Sequence, residues 1–334
     1  MQWIQQEDDL LKAKFATTGT YDLLPLFPGR TWKSLVHRAT KLGLSKTKEC
    51  RTNLTRKASS LSQNDILLMK DKYSKIEQYK WQYLAGMIDS DGCIRLYKNT
   101  ANYSPVIYVT NISESLIDWL VNNFGGSKNN IRHKTGDSIN GITVKSRRQA
   151  FSWKLTGLEN VVELLKYLKS ELIIKRQQAE IILDAHSQGW YSINLEPVYT
   201  KLIQSKKEYD INNSCSSVIT DAYLAGMIDG DGCIILRYNN YDFINAMLDI
   251  SNESIILNKK LLDLGWNQFM NRGLIHNTIY KQKDCLSLLL NISPYLIIKK
   301  EQAELVIEFL QNKKTLDKEG QEDYKNRLSL LKQG

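Results

Sequence analysis

The stretch Tyr83-Leu-Ala-Gly-Met-Ile-Asp-Ser-Asp-Gly-Cys-Ile94 recurs as Tyr223-Leu-Ala-Gly-Met-Ile-Asp-Gly-Asp-Gly-Cys-Ile234, eleven identities in twelve positions at an offset of 140. Agreement over that length marks a tandem duplication, and the rest of the chain aligns outward from it. Val109-Thr-Asn-Ile-Ser-Glu-Ser115 is echoed by Ile250-Ser-Asn-Glu-Ser254 with the spacing slipped by one. Further on, Tyr167-Leu-Lys-Ser-Glu-Leu-Ile-Ile-Lys-Arg-Gln-Gln-Ala-Glu180 parallels Tyr295-Leu-Ile-Ile-Lys-Lys-Glu-Gln-Ala-Glu304. Two repeated units therefore occupy 80–186 and 220–312. A linker carrying Ser, Asn, Lys and Pro197 joins them at 187–219, and a polar, helical tail follows at 313–334.

Each repeat reads the same way locally. Residues 80–90 are expected as a helix ending at Asp91-Gly92, glycine being the usual residue just past a helix C-terminus. The next run places Cys93, Arg95, Tyr97 and Asn99 on one face and Ile94 and Leu96 on the other, the period of a half-buried strand. Residues 104–110 alternate as a second strand, 113–124 form a helix stopped by Gly125-Gly126, 131–155 hold two more strands, and 158–186 one or two helices. The expected fold class is α+β, with two tandem αββαββα units.

Residues 1–46 follow a different pattern. Glu7, Asp8 and Asp9 suit the opening turns of a helix, where the dipole favours carboxylates. Tyr21 to Leu24 fit a short second helix stopped by Pro25, and Thr31 can cap a third helix over 32–42 that Gly43 ends. This describes a small three-helix, helix-turn-helix-like module, followed by a basic linker at 47–79.

The charge distribution agrees with that division. The chain carries 45 Lys+Arg against 36 Asp+Glu, yet residues 1–60 alone hold 11 basic and 5 acidic side chains, and residues 28–60 hold 9 and 1. A polyanion would thus be met mainly by the N-terminal segment. Arg30, Lys33, Arg38 and Lys41 on and beside the third helix are the candidate DNA contacts there, although a solvated basic face would give the same count. The five cysteines, at 50, 93, 215, 233 and 285, form no C-x-x-C pair, which argues against a disulfide framework, a zinc finger and a c-type haem. No stretch approaches the roughly 20 apolar residues of a membrane span, and residues 1–10 carry no export signal. A reducing compartment that contains DNA is expected.

The duplicated motif carries the chemistry. Gly86 and Ser90 stand four apart, as do Gly226 and Gly230, so each motif helix has a strip of small side chains on which another helix can approach closely. Packed strip to strip, the helices bring Asp91 and Asp231 together at the negative ends of two dipoles, where they repel unless a cation lies between them. Oxygen ligands so arranged suit Mg²⁺. One Asp-Gly at a helix end would be a plain cap; two in the same context point to a metal.

In these motifs the chain resembles the LAGLIDADG homing endonucleases, in the single-chain form with two motifs, over residues 80–312. The resemblance implies a monomer whose two units form a pseudo-twofold saddle over the major groove of double-stranded DNA. It implies Asp91 and Asp231 as metal-binding catalytic carboxylates, the carbonyls of Ser90 and Gly230 as accessory ligands, and Mg²⁺ or Mn²⁺ as cofactor. Asn111 and Asn252 correspond to polar residues that order water near the metals, and Lys175 and Lys299 to catalytic lysines, with Arg176 and Lys300 leaving that register open by one. Candidate DNA contacts on the sheets are Arg95, Tyr97, Asn99, Tyr108, Lys145, Arg147, Arg148, Arg237, Asn239 and Asp249. The implied activity is a metal-dependent double-strand break at a long target, only partly palindromic because the two halves differ on these faces. The chain begins Met1-Gln2 and ends without a His-Asn pair, so a free-standing, intron-encoded enzyme is expected rather than an intein. A maturase acting on host intron RNA and a non-catalytic DNA-binding regulator are the alternatives.

Overall fold

The computed structural model describes residues 3–18, 23–47, 50, 63–98, 102–131, 138–139, 142–143, 149–205, 217–239, 241–271 and 273–333. It divides into two compact units, Met1–Asp65 and Ile66–Gly334.

Among its described residues the N-terminal unit contains the helices α1 (Gln5–Lys14) and α2 (Trp32–Lys41), with a 3₁₀ turn at Leu24–Leu26 between them. Leu11, Phe15, Leu23, Phe27, Leu35 and Ala39 form its core. The Thr31 hydroxyl accepts from Ser34 N at 3.2 Å, as the expected cap of the third helix. At the short second helix, Leu23 is helical and the 3₁₀ turn follows it directly, with Pro25 at an early position where its fixed φ and missing N–H are tolerated. Residues 19–22, where that helix was expected to begin, lie outside the described residues.

Helix α3 (Gln63–Ser74), inside the stretch read as a linker, starts just before the boundary and continues into the larger unit. Tyr73 explains why it is ordered: its ring is buried against Trp81 and Tyr167, and its hydroxyl donates to Phe124 O at 3.0 Å. Then follow α4 (Gln78–Ser90), β1 (Gly92–Lys98), β2 (Tyr103–Asn111), α5 (Glu114–Phe124), β3 (Ser127–Ile131), a two-strand pair of β4 (Ser138–Ile139) and β5 (Ile142–Thr143), β6 (Ala150–Thr156), α6 (Leu158–Leu168) and α7 (Arg176–Ser187). Among the described residues between the repeats lies a helix not expected from the sequence, α8 (Glu196–Gln204), which buries Leu202. The second repeat runs α9 (Asp221–Gly230), β7 (Gly232–Tyr238), β8 (Ile244–Asn252), α10 (Ile255–Asp263), β9 (Asn267–Asn271), β10 (Leu274–Ile279), α11 (Gln282–Ile292) and α12 (Lys300–Asn312). The tail forms α13 (Lys318–Gln333), which buries Tyr324 and Leu328.

The two four-stranded antiparallel sheets have the same topology, β1-β2-β6-β3 and β7-β8-β10-β9. Directly paired residues share a face, so register sorts each sheet. In the first, Ile94, Ile107, Val109, Trp153 and Leu155 are buried in the core, while Cys93 pairs with Tyr108, Tyr108 with Lys154, and Thr110 with Ser152 on the opposite face. In the second, Ile234, Leu248 and Ile250 face the core, and Cys233, Asp249 and Thr278 form a row on the other side.

Gly92 and Gly232 begin β1 and β7 for a different reason from the one expected. Neither has positive φ. Instead, a Cβ at either would lie 2.5 Å from the Cα of Ile88 or Ile228, so each strand leaves its helix too closely for any side chain.

Candidate active site

The two motif helices pack on their small-residue strips. A Cβ on Gly86 would come 2.1 Å from Tyr223 O, and one on Gly226 would come 2.3 Å from Tyr83 O. Nearer the C-termini, a Cβ on Gly230 would lie 2.1 Å from Ser90 Oγ and 3.6 Å from Asp91 Cγ. The ends of α4 and α9 therefore abut, with Asp91 and Asp231 as their respective C-caps.

Each carboxylate is held in the same way. Asn111 Nδ2 donates to Asp91 Oδ2 at 2.9 Å, and Asn252 Nδ2 donates to Asp231 Oδ2 at 2.9 Å. Both asparagines are fixed through their own Oδ1, which accepts from Ser113 N and Ser254 N at 2.9 and 2.8 Å. Burial raises the pKa of both Asp91 and Asp231, opposed first by the asparagine hydrogen bonds, and Asp91 raises that of Asp231 further. Lys175 and Lys299 are counted among the charges that favour ionisation of both.

The lysines approach from the starts of α7 and α12, where each is the N-cap residue. Lys175 Nζ donates to the carbonyls of Ile88 at 2.6 Å, Asp89 at 2.8 Å and Ser90 at 3.4 Å. Lys299 Nζ donates to Ile228 O at 2.6 Å and Asp229 O at 2.7 Å. Both thus cap the carbonyl end of a motif helix, a favourable place for a cation, while burial pushes each ammonium pKa down. The neighbouring Arg176 pairs with Glu180 on its own helix.

Two carboxylates that sequence reading passed over hold these pieces in place. Asp89 accepts from the backbone N–H groups of Ile173, Ile174 and Lys175, and from the hydroxyl of Tyr223 in the other repeat at 2.9 Å. Asp229 mirrors it, accepting from Ile297, Ile298, Lys299 and the hydroxyl of Tyr83 at 2.8 Å. Asp89 and Asp229 are both 2 % exposed, so each is a buried carboxyl group whose burial is offset by four hydrogen bonds. The signal was present in the sequence, since Tyr and the first Asp recur together in the motif.

As a cation site, the cluster offers oxygen donors only: the carboxylates of Asp91 and Asp231 and the nearby carbonyls of Ser90 and Gly230. Among the described residues no group of three or more His, Cys, Asp or Glu side chains comes together. Two carboxylates that burial disfavours as anions fit a hard divalent ion that keeps water and takes phosphate oxygens, not a zinc cage.

No protein-family model and no curated protein matches the chain by sequence. Solved structures do match it. The LAGLIDADG homing endonuclease I-GzeII in complex with its DNA target matches 76% of this chain and 97% of its own, at 16% identity and a TM-score of 0.53. The LAGLIDADG meganuclease I-AabMI bound to uncleaved DNA matches 78% and 99% at 17% identity and a TM-score of 0.56. I-LtrWI, a LAGLIDADG homing endonuclease bound to target DNA, matches 75% and 97% at 15% identity and a TM-score of 0.55. The chain has the single-chain LAGLIDADG fold.

In that fold the outward sheet face carries several of the residues expected to contact DNA, and corrects others. Tyr97 is 53% exposed, and Arg237 is exposed on β7. Arg95 lies over the Tyr108 ring at 4.7 Å, so part of its guanidinium surface is spent on an intramolecular stack. Asn239 serves the turn between β7 and β8: its Oδ1 accepts from Tyr241 N and Phe243 N at 2.9 and 3.0 Å. Asp249 is paired with His276. Asn99, Lys145, Arg147 and Arg148 lie outside the described residues. Register adds Thr110, Ser152, Lys154 and His276 to the same faces; no sequence pattern singled these out.

The N-terminal candidates divide in two. Lys33 and Lys41 are exposed on α2. Arg30 and Arg38, also expected to contact DNA, are drawn into ion pairs within the unit. Arg30 makes a two-pronged ion pair with Glu7, Nε to Oε1 at 2.9 Å and Nη2 to Oε2 at 2.6 Å, and its side chain is 5% exposed. Arg38 does the same with Asp8. The Arg30 guanidinium also covers the Trp3 ring at 4.3 Å.

Proposed function

We propose that the protein is a site-specific DNA endonuclease that makes a double-strand break at a long, partly palindromic duplex, using Mg²⁺ or Mn²⁺. The observation that carries this reading is the doubled Asp–Asn pair at two abutting helix ends, Asp91 with Asn111 and Asp231 with Asn252. The DNA complexes formed by proteins of the same fold support it.

Asp91 and Asp231, with the carbonyls of Ser90 and Gly230, would hold the cations, which supply charge neutralisation at the scissile phosphates and a more acidic water. Each asparagine occupies one carboxylate oxygen and leaves the other to face the ligand. Lys175 and Lys299 neutralise the carbonyl ends of α4 and α9 and add positive potential where the phosphates would enter. Because both halves retain the full set, each would serve one DNA strand.

The N-terminal unit would give a second grip on the same duplex. Lys33, Val36, His37, Thr40 and Lys41 are all exposed and recur at helical spacing along α2, without an acidic side chain among them. That stripe, rather than Arg30 and Arg38, would meet DNA.

The test is to incubate purified protein with Mg²⁺ and duplex joining the sequences that flank its reading frame, as an intron-encoded enzyme would require. Expected are two cuts, one per strand. Asp91→Asn or Asp231→Asn should abolish double-strand cleavage and keep binding. Full cleavage by either variant would remove those carboxylates from the chemistry. An intact duplex together with accelerated splicing of the host intron would replace this reading with the maturase.

A further inference from the structure

Beside the second cation site lies a polar group that the cleavage chemistry does not use. His276 on β10 has its Nδ1 at 2.9 Å from Asp249 Oδ2 and 2.8 Å from Ser251 Oγ, both on β8. Its ring stacks on Phe269 of β9, with centroids 4.9 Å apart and planes 7° from parallel. Register places the group on the outward face: Ser251 pairs with His276, and His276 with Phe269, whereas the adjacent Ile250 and Asn277 are fully buried. Ser251 directly precedes Asn252, the residue bound to Asp231.

We propose that His276 is a base-reading residue of the second half, and that Asp249 is the positioning residue that sets which edge it presents. The proposal rests on the DNA-binding reading above. A carboxylate has no proton to give, so the short contact to Asp249 Oδ2 places the ring proton on Nδ1. In the neutral ring Nε2 then carries the lone pair, and it has no hydrogen-bond partner among the described residues. An acceptor on the outward face pairs with bases that present an amino group in the major groove, adenine through N6 or cytosine through N4. Phe269 and Ser251 leave the ring little rotational freedom, so the edge is presented at a low entropic cost.

The first half has no equivalent. Tyr108 takes the place of Asp249 in the row with the cysteine, and Ser152 takes the place of His276 opposite Thr110. The group is therefore a source of asymmetry in the target: one base pair near one cut strand would be specified with no counterpart near the other. Asp249 Oδ1 is buried without a hydrogen-bond partner. That carboxylate is held for its neighbour at a desolvation cost, which a surface solvated for its own sake would not bear.

The experiment selects duplexes bound by the full chain from a randomised pool, with Ca²⁺ as the cation, and then measures binding with each base pair of the selected site substituted in turn. For the native chain, one position close to a cut should show adenine or cytosine on the strand that His276 contacts. His276→Ala should flatten preference at that position alone, by roughly 5- to 10-fold for a single hydrogen bond. Asp249→Asn, whose amide can donate to Nδ1 as readily as accept from it, should let guanine or thymine in at the same position. A general loss of affinity with every preference unchanged would assign the group a structural role and overturn the proposal. So would a flattened position that originally specified guanine or thymine. His276→Gln, which keeps an acceptor and most of the volume, should retain part of the preference if His276→Ala proves unstable. Specific binding without cleavage in Mg²⁺ would sink the nuclease reading and leave this one standing, and no duplex binding at all would sink both.

Discussion

Replacing Gly86 by alanine probes the contact on which the two halves meet. In an isolated helix the change is favourable by about 1 kcal/mol, because alanine loses less backbone entropy. Here the new Cβ would stand 2.1 Å from Tyr223 O and 2.9 Å from Met227 N. Ordinary contact begins near 3.4 Å, so the helices must part by roughly 1.3 Å, and the obstacle is a peptide oxygen that cannot rotate away. Overpacking a close-packed interior typically costs 1–3 kcal/mol, and a rigid obstacle argues for about 3. The net expectation is a loss of about 2 kcal/mol. It should appear in urea unfolding followed by circular dichroism as a lower midpoint at an unchanged slope. Gly226→Ala should behave alike, given 2.3 Å to Tyr83 O. The double variant should lose less than the sum, because helices already parted accept the second methyl group more easily. A stabilised Gly86→Ala protein, or a change within about 0.5 kcal/mol, would mean that α4 and α9 are not in backbone contact.

Three further outcomes are expected. Asp229→Asn should destabilise the larger unit by about 2–3 kcal/mol, since an amide nitrogen facing Ile297 N and Ile298 N leaves buried donors unpaired; thermal unfolding within 1 °C of the native chain would contradict the assignment. In the N-terminal unit, the guanidinium groups of Arg30 and Arg38 hold the carboxyls of Glu7 and Asp8 below their usual range. The unfolded chain therefore binds more protons than the folded one at acid pH, and stability present at neutral pH is lost as pH falls from the ordinary carboxylate values through the folded ones. Hydrogen exchange of α1 and α2 amides between pH 6 and pH 3 should show this, and Arg30→Ala should flatten it; an unchanged profile in that variant would refute it. Lys33→Glu with Lys41→Glu should shorten the DNA footprint and reduce the salt slope of binding by about 2, leaving cleavage of a short central duplex intact; an unchanged slope would exclude the N-terminal unit from the complex.

Why some of this was legible in the sequence and some was not follows from range. The motif helices and the half-buried strand after each are local and appear twice, so periodicity and repetition exposed them; Asn111 and Asn252 stood out only through the family resemblance, and their hydrogen bonds to Asp91 and Asp231 come from the structure. Asp89 and Asp229 bind backbone groups 84–86 and 68–70 residues away, and no local pattern records that. Arg30 and Arg38 look like surface charge when counted along the chain, because the carboxylates that claim them are 23 and 30 residues earlier. Helix α8 is hidden by composition: Pro197 reads as a linker residue, although a proline is equally at home in a helix's first turn.

The tyrosine–aspartate bonds between the repeats have a consequence for how such a chain can be rebuilt. Tyr83 reaches Asp229 and Tyr223 reaches Asp89, yet each repeat supplies one tyrosine and one aspartate at matching motif positions. The interface is therefore self-complementary in the sense of a twofold dimer. Two copies of the first repeat would offer the same hydroxyl to the same carboxylate, and so would two copies of the second. Halves exchanged between chains of this kind should stay mated as long as both members of the pair are kept, which leaves the outward sheet faces free to be recombined into new targets.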